Sequence, residues 1–189
     1  NEDTSIELAL QPSYTWTDDR PYLFDLDRAV AEMRFGEIAG ASSVLRGRVG
    51  RFRFSDRSSI IISDTVDGID LSLSVPNVSL RLGSAYTGLL LNPVSNIRIS
   101  EADQADSGDD DVFFGPRRLL ALSEVTLSLP AIRQSLTQSY IGQWDLRDPD
   151  AGEDTLVSSY LALTVEGPIV AGLFHDVSFF FSASVREID

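Results

Sequence analysis

Apolar and polar side chains alternate with a period of two along most of the chain, and a helical period is almost absent. Ile6, Leu8, Leu10, Tyr14 and Trp16 interleave with Glu7, Ala9, Gln11, Ser13 and Thr15, which predicts a long two-faced strand. From Phe24 to Ile38, Ala29, Ala31, Met33 and Phe35 alternate with Arg28, Glu32 and Arg34, with Val30 interrupting the polar face. An amphipathic helix competes with a strand over that stretch. Val44 to Phe54 and Ser59 to Ser63 follow as strands, and Asp67-Gly68 predicts a tight turn before Ile69, Leu71, Leu73 and Val75, because Asp-Gly suits the positive-φ positions of short hairpins. Val78, Leu80, Leu82 and Tyr86 form the next apolar face, and a short strand is expected at Ile97 to Ser100.

Between Glu101 and Asp111 the chain turns to Asp, Ser, Gln and Gly, a composition that cannot bury a core and predicts a long exposed link. Alternation resumes at Arg117 and stops at Pro130. Leu136 to Arg147 returns, a turn is expected over Asp148 to Gly152, and the last pair is Leu156 to Glu166 and Leu173 to Val185 with a break at Gly167-Pro168. The expected fold is therefore all-β, an antiparallel up-and-down β-barrel of about ten strands. It forms one domain over residues 1–189 or the N-terminal portion of a larger barrel. The alternative is a soluble β-sandwich, in which the same apolar faces would point inward.

Strand length and aromatic placement favour the membrane form of this architecture. Several segments reach the nine to eleven residues that a tilted strand needs to cross hydrocarbon, as a rough guide. Tyr14, Trp16, Tyr22, Phe24, Phe52, Phe54, Phe113, Phe114, Tyr140 and Trp144 fall near strand ends, where aromatic girdles sit. No stretch is apolar enough for a spanning helix, and the start at Asn1 carries no signal-peptide pattern, as expected of a mature or trimmed chain.

Charge narrows the partners. The chain of 189 residues has 29 acidic side chains against 15 basic ones, for a net charge of −14; all the basic residues are arginine. Nucleic acid is an unsuitable partner for such a surface. Cysteine is absent, which excludes disulfide scaffolds, thiolate metal sites and cysteine nucleophiles.

The densest charge pattern is Arg46, Arg48, Arg51 and Arg53. Period two puts two of them on one face before Gly50 and two on the other face after it, and a bulge at Gly50 would gather all four on one side. With Arg81, Asp25, Asp27, Glu32 and Glu124 they are the candidate pore-lining residues. Asp25, Asp27 and Glu32 are the expected partners of the arginines, since neighbours in an up-and-down order pair directly. Asp103, Asp106, Asp109, Asp110 and Asp111 could offer oxygen ligands to calcium but lack the spacing of an EF-hand loop, so a solvated link is expected and no metal site is assigned. The only histidine, His175, shares a face with Leu173, Val177 and Phe179 and reads as a packed or rim residue. No catalytic set can be assembled and no cofactor is expected.

Gly50-Arg51-Phe52-Arg53-Phe54-Ser55-Asp56, then Asp67-Gly68-Ile69-Asp70-Leu71-Ser72, then Ala85-Tyr86-Thr87-Gly88-Leu89-Leu90 resemble a succession of motifs in porin-like outer-membrane β-barrel proteins of diderm bacteria. The resemblance covers about forty residues. It implies that the first segment is a strand running to a rim and that Asp-Gly starts the next hairpin arm. It also implies a porin-like channel or structural protein of the bacterial outer membrane, in contact with lipid, passing small solutes or ions, and open to homo-oligomerisation. Such barrels end in a strand with a terminal aromatic residue, whereas this chain ends Ser184-Val185-Arg186-Glu187-Ile188-Asp189; the expectation is then either the N-terminal part of a longer barrel or a fold outside the membrane. The alternative function is a cell-surface or secreted β-sandwich serving as an interaction module without catalysis.

Overall fold

The computed structural model describes residues 4–15, 23–38, 40, 42–89, 114–147, 155–170 and 172–187. Those residues form nine strands: β1 (Thr4–Thr15), β2 (Leu23–Gly36), β3 (Val44–Ser55), β4 (Ser63–Val75), β5 (Val78–Tyr86), β6 (Arg118–Leu129), β7 (Gln134–Asp145), β8 (Thr155–Val170) and β9 (Leu173–Glu187). One sheet holds them in sequence order, and each pair of neighbours is antiparallel. The expected all-β, up-and-down antiparallel architecture is the observed one. The stretch expected from Phe24 to Ile38 is a strand, β2, up to Gly36 and not a helix, because its apolar face continues those of β1 and β3 in register.

Three boundaries differ from expectation. Asp67-Gly68 lies inside β4, with Asp67 paired to Arg51 and Gly68 to Gly50; the turn of that hairpin is 56–62 instead, so Ser59 to Ile62 is not strand. The next turn is Pro76-Asn77, where Asn77 supplies a φ of 65°. β8 runs through Gly167-Pro168, absorbing the proline in a register shift between Pro168 and Val170. The expected strand at Ile97 to Ser100, the link at Glu101 to Asp111 and the turn at Asp148 to Gly152 lie outside the described residues.

Because the pairing keeps register from strand to strand, the period-two alternation sorts side chains onto two continuous faces. One carries Leu8, Leu71, Leu82, Leu127, Phe179 and Phe181, and this apolar face is open: Leu8 is 80% exposed, Leu82 59% and Phe181 65%. The opposite face carries Asp70, Arg81, Glu124, Thr137, Ser139 and Ser158, and all of these except Arg81 are buried. Between β4 and β8 the polar face is largely covered, an inversion of the ordinary soluble arrangement, and the reach of the Arg57 side chain from the β3–β4 turn to Glu166 on β8 makes this face the concave one.

The cover is the tip of the β3–β4 hairpin. The ladder from β2 stops at Ala29 opposite Arg51, and the ladder to β5 stops at Asp67 opposite Tyr86. Beyond Gly50 and Gly68, which face each other across the hairpin, residues 52–66 have no further strand alongside among the described residues. Gly50 has a φ of +118°, a conformation that L side chains rarely adopt. A Cβ at Gly68 would collide with the Ser84 carbonyl oxygen. The glycine pair thus permits the bend by which the tip leaves the wall and folds onto the polar face. There Phe52, Phe54, Ile62 and Val66 pack with Ala85, Leu120, Leu122 and Ile141 in one apolar cluster.

The sheet has two edges, β1 and β9. With nine strands in alternating direction these two run the same way, so no antiparallel ladder can join them directly. The strand ends that flank 37–43, 76–77, 130–133 and 171–172 lie at one end of the sheet, and those that flank 16–22, 56–62, 87–117 and 146–154 at the other. The two longest of these intervals, 87–117 and 146–154, belong to the second end.

Candidate functional site

The polar face is organised in rows that follow the pairing register. One row runs from β1 to β7 as Ser5, Arg34, Arg46, Ser72, Arg81, Glu124 and Ser139. The next row starts Glu7, Glu32, Arg48 and Asp70. Closer to the short turns, hydroxyls pair across strands: Ser79 with Ser74 at 3.1 Å, Thr126 with Thr137 at 3.0 Å and Thr164 with Ser178 at 2.8 Å.

Arg81 is the centre of the charged rows. Its guanidinium donates to Asp70 at 2.8 Å, to Glu124 at 2.9 Å and to the Ser55 carbonyl oxygen at 2.8 Å. Arg48 donates to the same Asp70 at 2.5 Å and lies 4.5 Å from the centre of the Phe52 ring. Ser139 donates to Glu124 at 3.0 Å. With Asp70 and Glu124 almost fully buried, each carboxylate is balanced by guanidinium donors, as a buried charge requires.

The hairpin tip joins this network. Asp56 accepts hydrogen bonds from the backbone N–H groups of Ser58 and Ile62, at 2.9 and 2.8 Å, which closes the turn. The Arg57 backbone N–H then donates to Glu124 at 2.9 Å, and the Arg57 guanidinium pairs with Glu166 of β8. That contact crosses the concave face from the β3–β4 tip to a strand four places further along the sheet. The Glu166 hydrogen bond raises the pKa of Arg57, a turn residue, above its ordinary value, so the latch stays charged across the physiological range.

The expected arginine cluster divides. Arg46 and Arg48 lie on the polar face, whereas Arg51 and Arg53 take the other face of β3, because the register runs unbroken through Gly50. Arg51 pairs with Asp67 at 2.8 Å and Arg53 donates to Ser63 at 2.6 Å, both across the hairpin base and arm. Arg51 and Arg53 are therefore corrected as pore-lining candidates. Arg48 and Arg51 do meet carboxylates of a neighbouring strand, but on β4 and not on β2. Glu32 is bound by Arg28 of its own strand at 2.5 Å, Asp27 sits where the β1–β2 register shifts, and the side chain of Asp25 lies outside the described residues. Arg81 and Glu124 are cross-strand partners on the polar face.

A second charged group escaped the sequence reading. At the long-link end of β6 and β7, Arg118 and Arg147 both approach Asp145, at 3.5 and 2.5 Å. Arg118 and Asp145 occupy the polar-face parity of paired positions, which alternation alone could have revealed. His175 is on the apolar face opposite Gly167. Among the described residues no group of acidic or imidazole side chains could hold a metal ion; Asp103, Asp106, Asp109, Asp110 and Asp111 lie outside them. No protein-family model matches the chain, and no curated protein or solved structure matches it either.

Proposed function

We propose that this chain is a stretch of wall of a porin-like outer-membrane β-barrel, with its apolar face against lipid and its charged face lining a lumen narrowed by the β3–β4 tip. The observation that carries the reading is the inverted polarity: exposed Leu8, Leu82, Phe179 and Phe181 on one face, and on the other the network in which Arg81 holds the buried Asp70 and Glu124. Bilayer hydrocarbon is a solvent in which that distribution is stable. Strands β1, β2, β6, β7, β8 and β9, of 12 to 16 residues each, suffice to cross it when tilted. Short turns at one end and longer links at the other follow the usual asymmetry of outer-membrane barrels. The latched tip supports a narrow passage for small solutes or ions, and the reading assigns no catalysis.

Adjacent substitutions on β9 test it. Phe181 belongs to the apolar face and Ser182 to the polar face at nearly the same depth. Refolded into lipid vesicles, Phe181→Arg is expected to lose about 2–4 kcal/mol or more of folding free energy, and Ser182→Arg less than half of that. A chain that leaves both positions in water, exposed as they are here, would tolerate arginine at each within about 0.5 kcal/mol.

A further inference from the structure

We propose that Arg34 and Arg46 form a binding site for a phosphate dianion on the concave face. The proposal deepens the reading of that face as a lumen by naming the solute it holds, and it rests on that reading for access. The two arginines are direct cross-strand partners, both exposed on the polar face, and among the described residues neither makes an ion pair. Like charges placed directly opposite destabilise a sheet. Two of the three carboxylates of the cleft are committed elsewhere, Asp70 to Arg48 and Arg81 and Glu32 to Arg28, and the third, Glu7, stands one row away.

The surroundings suit an oxyanion. The row continues outward from the pair to a hydroxyl on each side, Ser5 opposite Arg34 and Ser72 opposite Arg46. All four side chains line one cleft of about 420 Å³. Two guanidiniums offer paired N–H donors matched to a phosphate's oxygens, and two hydroxyls supply further donors. Neighbouring strands hold such side chains about 5 Å apart at their Cβ atoms, close enough to share one anion. Glu7 also lines the cleft but lies in the next row, opposite Glu32. The site would take the phosphate group free or as a phosphomonoester.

Titration calorimetry on the protein in a maltoside detergent, with inorganic phosphate against chloride at equal ionic strength, tests the proposal. Saturable phosphate binding is expected, weakened at least tenfold by Arg34→Ser or Arg46→Ser and unchanged by Arg53→Ser on the opposite face. In phosphate-free buffer the two site variants should resist urea as well as the parent or better, since each removes a like-charge contact; this separates lost binding from lost folding. A parallel titration with glycerol phosphate distinguishes the sources: equal affinity places a phosphomonoester, and binding of inorganic phosphate alone places the free ion. Chloride matching phosphate, or Arg53→Ser weakening binding as much as Arg34→Ser, would overturn the site. Absence of conductance in planar bilayers would instead count against the lumen, leaving the calorimetric result standing.

Discussion

Arg81 serves two carboxylates at once, and its energetic weight follows from what its removal would leave behind. Asp70 would keep Arg48, but Glu124 would keep only Ser139 and the Arg57 backbone N–H. A buried charge stripped of its ionic partner typically costs about 3–5 kcal/mol. Arg81→Met should therefore destabilise the fold by that amount in urea titration, and Arg81→Met combined with Glu124→Gln should recover part of it. Equal loss in the single and double variants would show that the pair is not coupled. Alternation placed Arg81 and Glu124 correctly because each sits mid-strand, where parity is unambiguous. It misjudged the partners of Arg48 and Arg51, since β3 has two neighbours and parity cannot choose between the acids of β2 and those of β4.

At the scale of elements, the β3–β4 hairpin is the part least legible in the sequence. Asp67-Gly68 carries the chemistry of a tight turn, yet Gly68 is needed where two strands bend together, and the turn itself is built on Asp56. Local turn preference was overridden by tertiary packing: the tip gains an apolar cluster on the wall, and Phe54 fills the space that a side chain at Gly83 would occupy. Gly50→Val and Gly68→Val should each release the tip. The expected loss exceeds about 1 kcal/mol, because a β-branched residue fits neither the positive φ at Gly50 nor the backbone approach at Gly68. Limited proteolysis reads the outcome, with cleavage within 56–62 rising in both variants and unchanged in Val49→Ala beside the bend. Equal protection in all three would remove the hinge from the account.

For the whole molecule, the up-and-down order and the two-faced character of the strands were readable because period two survives wherever the two faces of a strand differ in surroundings, although about ten strands were expected and the described residues form nine. What alternation cannot supply is the identity of those solvents, and here the burial pattern decides that the apolar face is the open one. The absence of cysteine makes the central claim directly measurable. Single cysteines introduced as Leu82→Cys and Phe181→Cys on the apolar face, and as Ser72→Cys and Ser182→Cys on the polar face, can each carry a fluorescent label after reconstitution into vesicles containing nitroxide-bearing lipid chains. The account predicts strong quenching at positions 82 and 181 and little at 72 and 182; quenching that is equal at all four, or reversed, would contradict it.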